Sequence, residues 1–73
     1  MEIKQLEYFA AAVEYGSLNR AAEKLYTTQP NVSRVLNSLE KELHVTLLER
    51  SNKGIKMTQQ GEELYGHAMS ILK

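Results

Sequence analysis

The chain has 73 residues, of which 42% are hydrophobic, nine are basic and nine acidic, and none is cysteine. A chain this short builds one small core that supplies only modest stability, so help from a partner is expected. Disulfides and thiolate metal sites are excluded, no apolar run reaches membrane-spanning length, and a net charge of zero argues against wholesale neutralisation of a polyanion.

The opening MEIKQLEYF lacks the basic-then-apolar order of a signal peptide, so a cytoplasmic protein is expected. Within residues 3–15, Leu6, Phe9, Ala10 and Val13 recur at helical spacing, and Gly16 is a natural stop. Ser17 can cap a second, short helix in SLNRAAEKL, whose Leu18, Ala21, Ala22 and Leu25 repeat the same pattern. Its two alanines permit a close crossing. The brief connection YTT then leads into a third helix, which is helix-turn-helix connectivity.

That third segment, TQPNVSRVLNSLEKELH from Thr28 to His44, has a proline where the first helical turn leaves amides unpartnered anyway, so Pro30 costs nothing there. Thr28 is the expected N-cap. Val32, Val35, Leu36, Leu39 and Leu43 define one apolar face, and the opposite face carries Pro30, Arg34, Asn37, Ser38 and Lys41, flanked by Asn31 and Ser33. No acid appears before Glu40. Amide, hydroxyl and guanidinium groups without interspersed carboxylates suit the reading of base edges: Arg matches guanine O6 and N7, Asn or Gln matches adenine N6 and N7, and Ser adapts. The plainer alternative is an ordinary polar helix face.

After His44 the pattern changes to VTLLERSNKGIKMT, whose polar, glycine-containing SNKG predicts a two-stranded hairpin. Arg50, Lys53 and Lys56 fall between residues 50 and 57 with no acid among them, so a locally basic face survives a neutral total. Thr58 can cap a fourth helix with Glu62 and Glu63 near its positive end and an apolar stripe of Leu64, Tyr65, Ala68, Met69 and Leu72. The stripe continues to the last residues, which fits pairing with a second copy or continuation in a longer protein.

AAEKL, QPNVSR followed after four residues by LEKEL, then LLER and TQQGEEL, occur in one fixed order covering essentially the whole chain. In this the chain resembles the N-terminal domain of LysR-type transcriptional regulators. The resemblance implies a mainly α, winged helix-turn-helix fold: a three-helix core, a short two-stranded β hairpin wing and a C-terminal linker and dimerisation helix. Residues 1–58 would form the DNA-binding domain and 59–73 the start of the linker helix. It implies sequence-specific binding of double-stranded DNA at an imperfect palindrome by a homodimer in the bacterial cytoplasm, associated with the nucleoid when bound. Residues 28–43 would enter the major groove and the wing, residues 50–56, would lie on the backbone or minor groove.

The positions matching the family's DNA-proximal residues are Thr28, Gln29, Pro30, Asn31, Ser33 and Arg34, with Arg50 and Lys53 in the wing. Asn37 joins them from the polar face, and Asn19 and Arg20 are candidates to hold a phosphate near the start of the second helix. Dimerisation is expected through Leu64, Tyr65, Ala68, Met69 and Leu72. Arg34 could instead pair with Glu40, and Arg50 could brace the wing against an acid.

Three positions depart from the family pattern. Asn31 stands where a small residue is usual, His44 where glycine is usual and a positive φ is favoured, and Leu48 where phenylalanine is usual. The family's effector-binding domain is absent from the chain, so a small-molecule effector would belong to a longer parent protein.

Cofactor, metal and catalytic readings find little support. His44 and His67 are far apart without patterned carboxylates, no glycine loop cradles phosphate, and no histidine accompanies a nucleophile, so no enzyme is expected. The rival from another class is a protein-interaction module that pairs through the fourth helix.

Overall fold

The computed structural model describes residues 1–51 and 53–72. Asn52 of the expected wing turn and Lys73 at the end of the expected fourth helix lie outside the described residues. The elements run α1 (Ile3–Tyr15), α2 (Leu18–Lys24), α3 (Gln29–Leu43), β1 (Leu48–Ser51), β2 (Gly54–Met57) and α4 (Gln59–Leu72). All four helices and the hairpin fall where the periodicity puts them, in winged helix-turn-helix order.

The caps work as the residue types require. Ser17 Oγ accepts from the Arg20 amide, Thr28 Oγ1 from the Asn31 amide, and Thr58 Oγ1 from the Gly61 amide. Gly16 closes α1 in the left-handed conformation, its amide reaching Ala12 O at 3.0 Å. The other two closures use side-chain-bearing residues. His44 has φ 59° and Tyr26 φ 57°, each at the end of a Schellman pair of bonds: Val45 N to Glu40 O with His44 N to Lys41 O, and Thr27 N to Ala22 O with Tyr26 N to Glu23 O. His44 therefore keeps the geometry that glycine would adopt more cheaply, with the fold unchanged.

α3 buries Val32, Leu36 and Leu39, which are 0%, 1% and 0% exposed, against Phe9, Ala12, Ala22 and Leu47. Each such aliphatic side chain contributes about 1.5–3 kcal/mol of burial free energy. α1 is covered more widely than its main stripe implies: Tyr8, Ala11, Ala12 and Gln5 are buried alongside Leu6, Phe9 and Ala10. It packs on α2, α3 and α4, and three successive alanines let those neighbours approach. Gln5 tolerates burial because its Oε1 accepts the Glu2 amide at 2.8 Å.

The antiparallel hairpin pairs Leu48 with Met57, Glu49 with Lys56, Arg50 with Ile55 and Ser51 with Gly54. Leu48, Met57 and Ile55 face the core, so alternation places Arg50 on that inward side too, while Glu49 and Lys56 stand opposite one another outside. Glu40 secures the approach to the hairpin. Its Oε2 accepts from the Leu47 and Leu48 amides at 2.7 and 3.1 Å, and among the described residues it forms no ion pair with Arg34.

α4 belongs to the same core. Ala68 is 0% exposed, Leu64 and Tyr65 pack against the main cluster, and the Tyr65 ring meets Phe9 edge-on at 6.3 Å. Burial, and secondarily the charge of Glu14, hold the Tyr65 phenol above its ordinary value. Of the five stripe residues, Ala68 is fully buried within the chain, and Leu64 and Tyr65 are half-buried with part of their surface still outward.

The start of α4 is seated on the backbone of Leu47. Thr58 N donates to Leu47 O at 3.0 Å, and a Cβ added to Gly61 would stand 2.1 Å from that same oxygen. Glycine is required by space. Gly61→Ala is expected to destabilise the domain by about 1–3 kcal/mol, the range for overpacking against unyielding structure, measured as a lowered urea midpoint.

Candidate nucleic-acid interface

The polar face of α3 is outward along its whole length. Pro30, Arg34, Asn37, Ser38 and Lys41 are exposed, and Gln29, Asn31 and Ser33 are half-buried along its flanks. Because Val32, Leu36 and Leu39 fix the rotation of the helix, the opposite face has no freedom to turn inward.

The wing extends this face through Arg50. Its guanidinium Nη1 donates to Ser33 Oγ at 2.9 Å and its Nη2 to Asn37 Oδ1 at 3.1 Å. Ser33 and Asn37 are four residues apart, hence on one side of α3, and the planar fork of Arg50 spans them. Arg50 does brace the wing, against a hydroxyl and an amide instead of the expected acid. Each contact leaves other N–H groups of the fork unused.

Gln29, Asn19 and Arg50 meet around an open groove of about 480 Å³, whose walls also include Ser17, Ser51 and Gly54. The groove exists because the tip of the hairpin approaches the corner between α1 and α2. Gly54 has φ 117°, and a Cβ there would stand 3.3 Å from Gly16 O.

Arg34 and Arg20 are exposed outside that groove, and Lys53 is exposed at the hairpin turn, its amide donating to Ser51 Oγ at 3.3 Å. The Arg20 amide is already used by the Ser17 cap, so a phosphate near the start of α2 would meet the Arg20 side chain in place of that amide. Thr28 is exposed, with its hydroxyl accepting from Asn31. Among the described residues the one ion pair joins the Met1 amino group to Glu42 at 2.5 Å. Among the described residues Arg20, Arg34, Arg50 and Lys53 thus carry charge in no ion pair, with Arg34 on α3 and Arg50 docked beside it.

Two residues absent from the sequence-based candidates take part. Thr27 Oγ1 accepts from Asn31 Nδ2 at 2.9 Å, a contact that the spacing of four residues could have suggested. Ser51 lines the groove, and nothing in the sequence places it there because its position depends on how the hairpin docks. Of the remaining candidates, Met69 and Leu72 line a second groove with Ala10, Ala11, Tyr15 and Leu25, and Ile71 beside them is 54% exposed.

The Arg50 clamp has a measurable consequence. Replacing both Ser33 and Asn37 by alanine is expected to raise amide exchange in residues 48–51 severalfold while lowering global stability by no more than about 1.5 kcal/mol, as for exposed hydrogen bonds that water can replace. Hydrogen exchange followed by mass spectrometry checks both.

The model of the family described as "Bacterial regulatory helix-turn-helix protein, lysR family" matches residues 3–62. The chain is 43% identical over 72 residues to the HTH-type transcriptional regulator BenM of Acinetobacter baylyi, covering 99% of the chain and 24% of BenM. It is 42% identical over 73 residues to the nitrogen assimilation regulatory protein nac of Escherichia coli, covering all of the chain and 24% of nac. It therefore spans about a quarter of the length of these curated relatives. Among solved structures, a CbnR DBD–DNA complex superposes with a TM-score of 0.95 at 43% identity, covering 99% of this chain and 83% of that one. A complex of the BenM DBD with catB site 1 DNA gives 0.95 at 43% identity, covering 99% and 81%.

Proposed function

This chain belongs to the lysR family of bacterial regulatory helix-turn-helix proteins, and from that premise we propose that it binds duplex DNA sequence-specifically, with α3 in the major groove and the wing on the backbone or adjacent minor groove. The observation that carries this reading is the outward face of α3, where Arg34, Asn37 and Lys41 are exposed without a neutralising carboxylate and Arg50 is clamped alongside. Gln29, Ser33 and Arg34 supply hydrogen bonds to base edges, and Arg50, Lys53, Asn19 and Arg20 hold phosphates or sugars. Thr28 and Pro30 shape the leading turn that enters the groove.

Residues 1–58 form the winged helix-turn-helix unit, and residues from 59 onward begin the helix that leads to a second copy. Two copies read the halves of an imperfect palindrome in the bacterial cytoplasm. No helix of the described residues is long and apolar enough to cross a membrane. The role is one of binding, not catalysis.

Duplex binding should weaken steeply with salt, with a log-log slope of roughly −0.9 per phosphate neutralised, whereas an apolar protein-interaction surface would barely respond. Arg34→Ala is expected to cost about 1–3 kcal/mol of affinity and to relax preference at one base position per half-site, seen by selection from a random duplex library. Unchanged selection by Arg34→Ala and Gln29→Ala would remove α3 as the reading element.

Pairing would run along α4, with Leu64, Tyr65, Met69 and Leu72 half-buried and Ile71 54% exposed near its end. Ile71→Glu is expected to shift sedimentation toward the monomer and to weaken binding to a two-half-site duplex far more than to a single half-site.

A further inference from the structure

We propose that Asn31 does not read a base but positions Arg34, through a relay that begins at Thr27. This rests on the reading of α3 as the element that enters DNA. Asn31 Nδ2 donates to Thr27 Oγ1 at 2.9 Å, and Asn31 Oδ1 accepts from the Arg34 guanidinium, whose Nη2 is the donor. The Asn31 backbone amide is held as well, by the Thr28 cap.

An asparagine recognises adenine by offering one donor and one acceptor at once, the amide to N7 and the carbonyl to the N6 amino group. Here one lone pair of the carbonyl oxygen serves Arg34 and one amino hydrogen serves Thr27, so the orientation of the amide is set within the protein. The side chain is half-buried while Arg34 is exposed, so Asn31 forms the supporting side of the pair and Arg34 the presented side. Asn31 and Arg34 are three residues apart on α3 and thus neighbours on its surface. Thr27, outside the helix by one residue beyond its cap, locks the amide from behind.

The gain is preorganisation. A free arginine side chain loses much rotational freedom on docking, and a guanidinium already aimed loses less. One of its five N–H donors is held by Asn31, and the planar group keeps the others unused on an exposed side chain. A fork of donors with no acceptor among them matches guanine O6 and N7 and offers nothing to the amino groups of adenine or cytosine. Asn31 thereby sharpens the preference that Arg34 exerts while making no base contact of its own.

Two measurements test this, one without DNA. In the free protein, nuclear relaxation of the Arg34 Nε–H group should show restricted motion that becomes faster in Asn31→Ala and in Thr27→Val; equal mobility in all three proteins overturns the relay. With DNA, the base position governed by Arg34 is first defined as the one whose preference is lost in Arg34→Ala. At that position Asn31→Ala should reduce discrimination by about two- to tenfold, the worth of immobilising one rotamer-rich side chain, and should add nothing in the double variant with Arg34→Ala. Asn31→Asp keeps an acceptor for Arg34, so it should lower affinity for all duplexes alike yet retain that preference. Loss of preference at a different base position in Asn31→Ala would make Asn31 a direct reader and overturn the proposal. Failure of the unaltered chain to select any duplex would instead overturn the proposed function, and the relaxation experiment would still decide whether Asn31 holds Arg34.

Discussion

The burial of Val32, Leu36 and Leu39 against Phe9 and Leu47 is the constraint from which the rest of the molecule follows. Three side chains at helical spacing, essentially without solvent exposure, fix both the axis and the rotation of α3. Once that rotation is set, Arg34, Asn37 and Lys41 must point away from the domain, since they lie on the far side of the same cylinder. Burial of a few aliphatic groups thus decides the direction in which the hydrogen-bonding groups are offered.

The second tier of organisation is polar and local. Glu40 anchors the chain entering the hairpin through two backbone amides, and Arg50 returns from the hairpin to Ser33 and Asn37. The wing and α3 are therefore joined at both ends, by a carboxylate on one side and a guanidinium on the other. Charge-assisted hydrogen bonds suit this task, because they orient the joined elements without demanding apolar area that a small domain cannot spare.

The left-handed residues at Tyr26 and His44 show where local preference yields to the surrounding structure. Each closes a helix with a pair of backbone bonds that a left-handed residue alone can complete. A side chain there costs about 1 kcal/mol relative to glycine, a sum the neighbouring core can bear. The departure at His44 is visible in the sequence; that at Tyr26 carries no comparable sign, and it leaves an aromatic ring almost wholly exposed in the helix-turn-helix corner.

The elements, their caps and the outward face of α3 were legible in the residues because they depend on short-range rules: periodicity, Ser or Thr at helix starts, a polar turn between apolar strands. The family resemblance rested on the same local runs. What the residues alone could not decide were contacts between segments distant in the chain. Gly61 looks like a weak helix residue until Leu47 O is found where its Cβ would be; Tyr65 shows no sign in the sequence of the Phe9 ring it meets edge-on. Arg50 likewise looks free until the hairpin brings it onto Ser33 and Asn37. A linear pattern specifies which side of each element is apolar, but each apolar side accepts any partner of suitable shape, and only the packed chain determines which partner it meets.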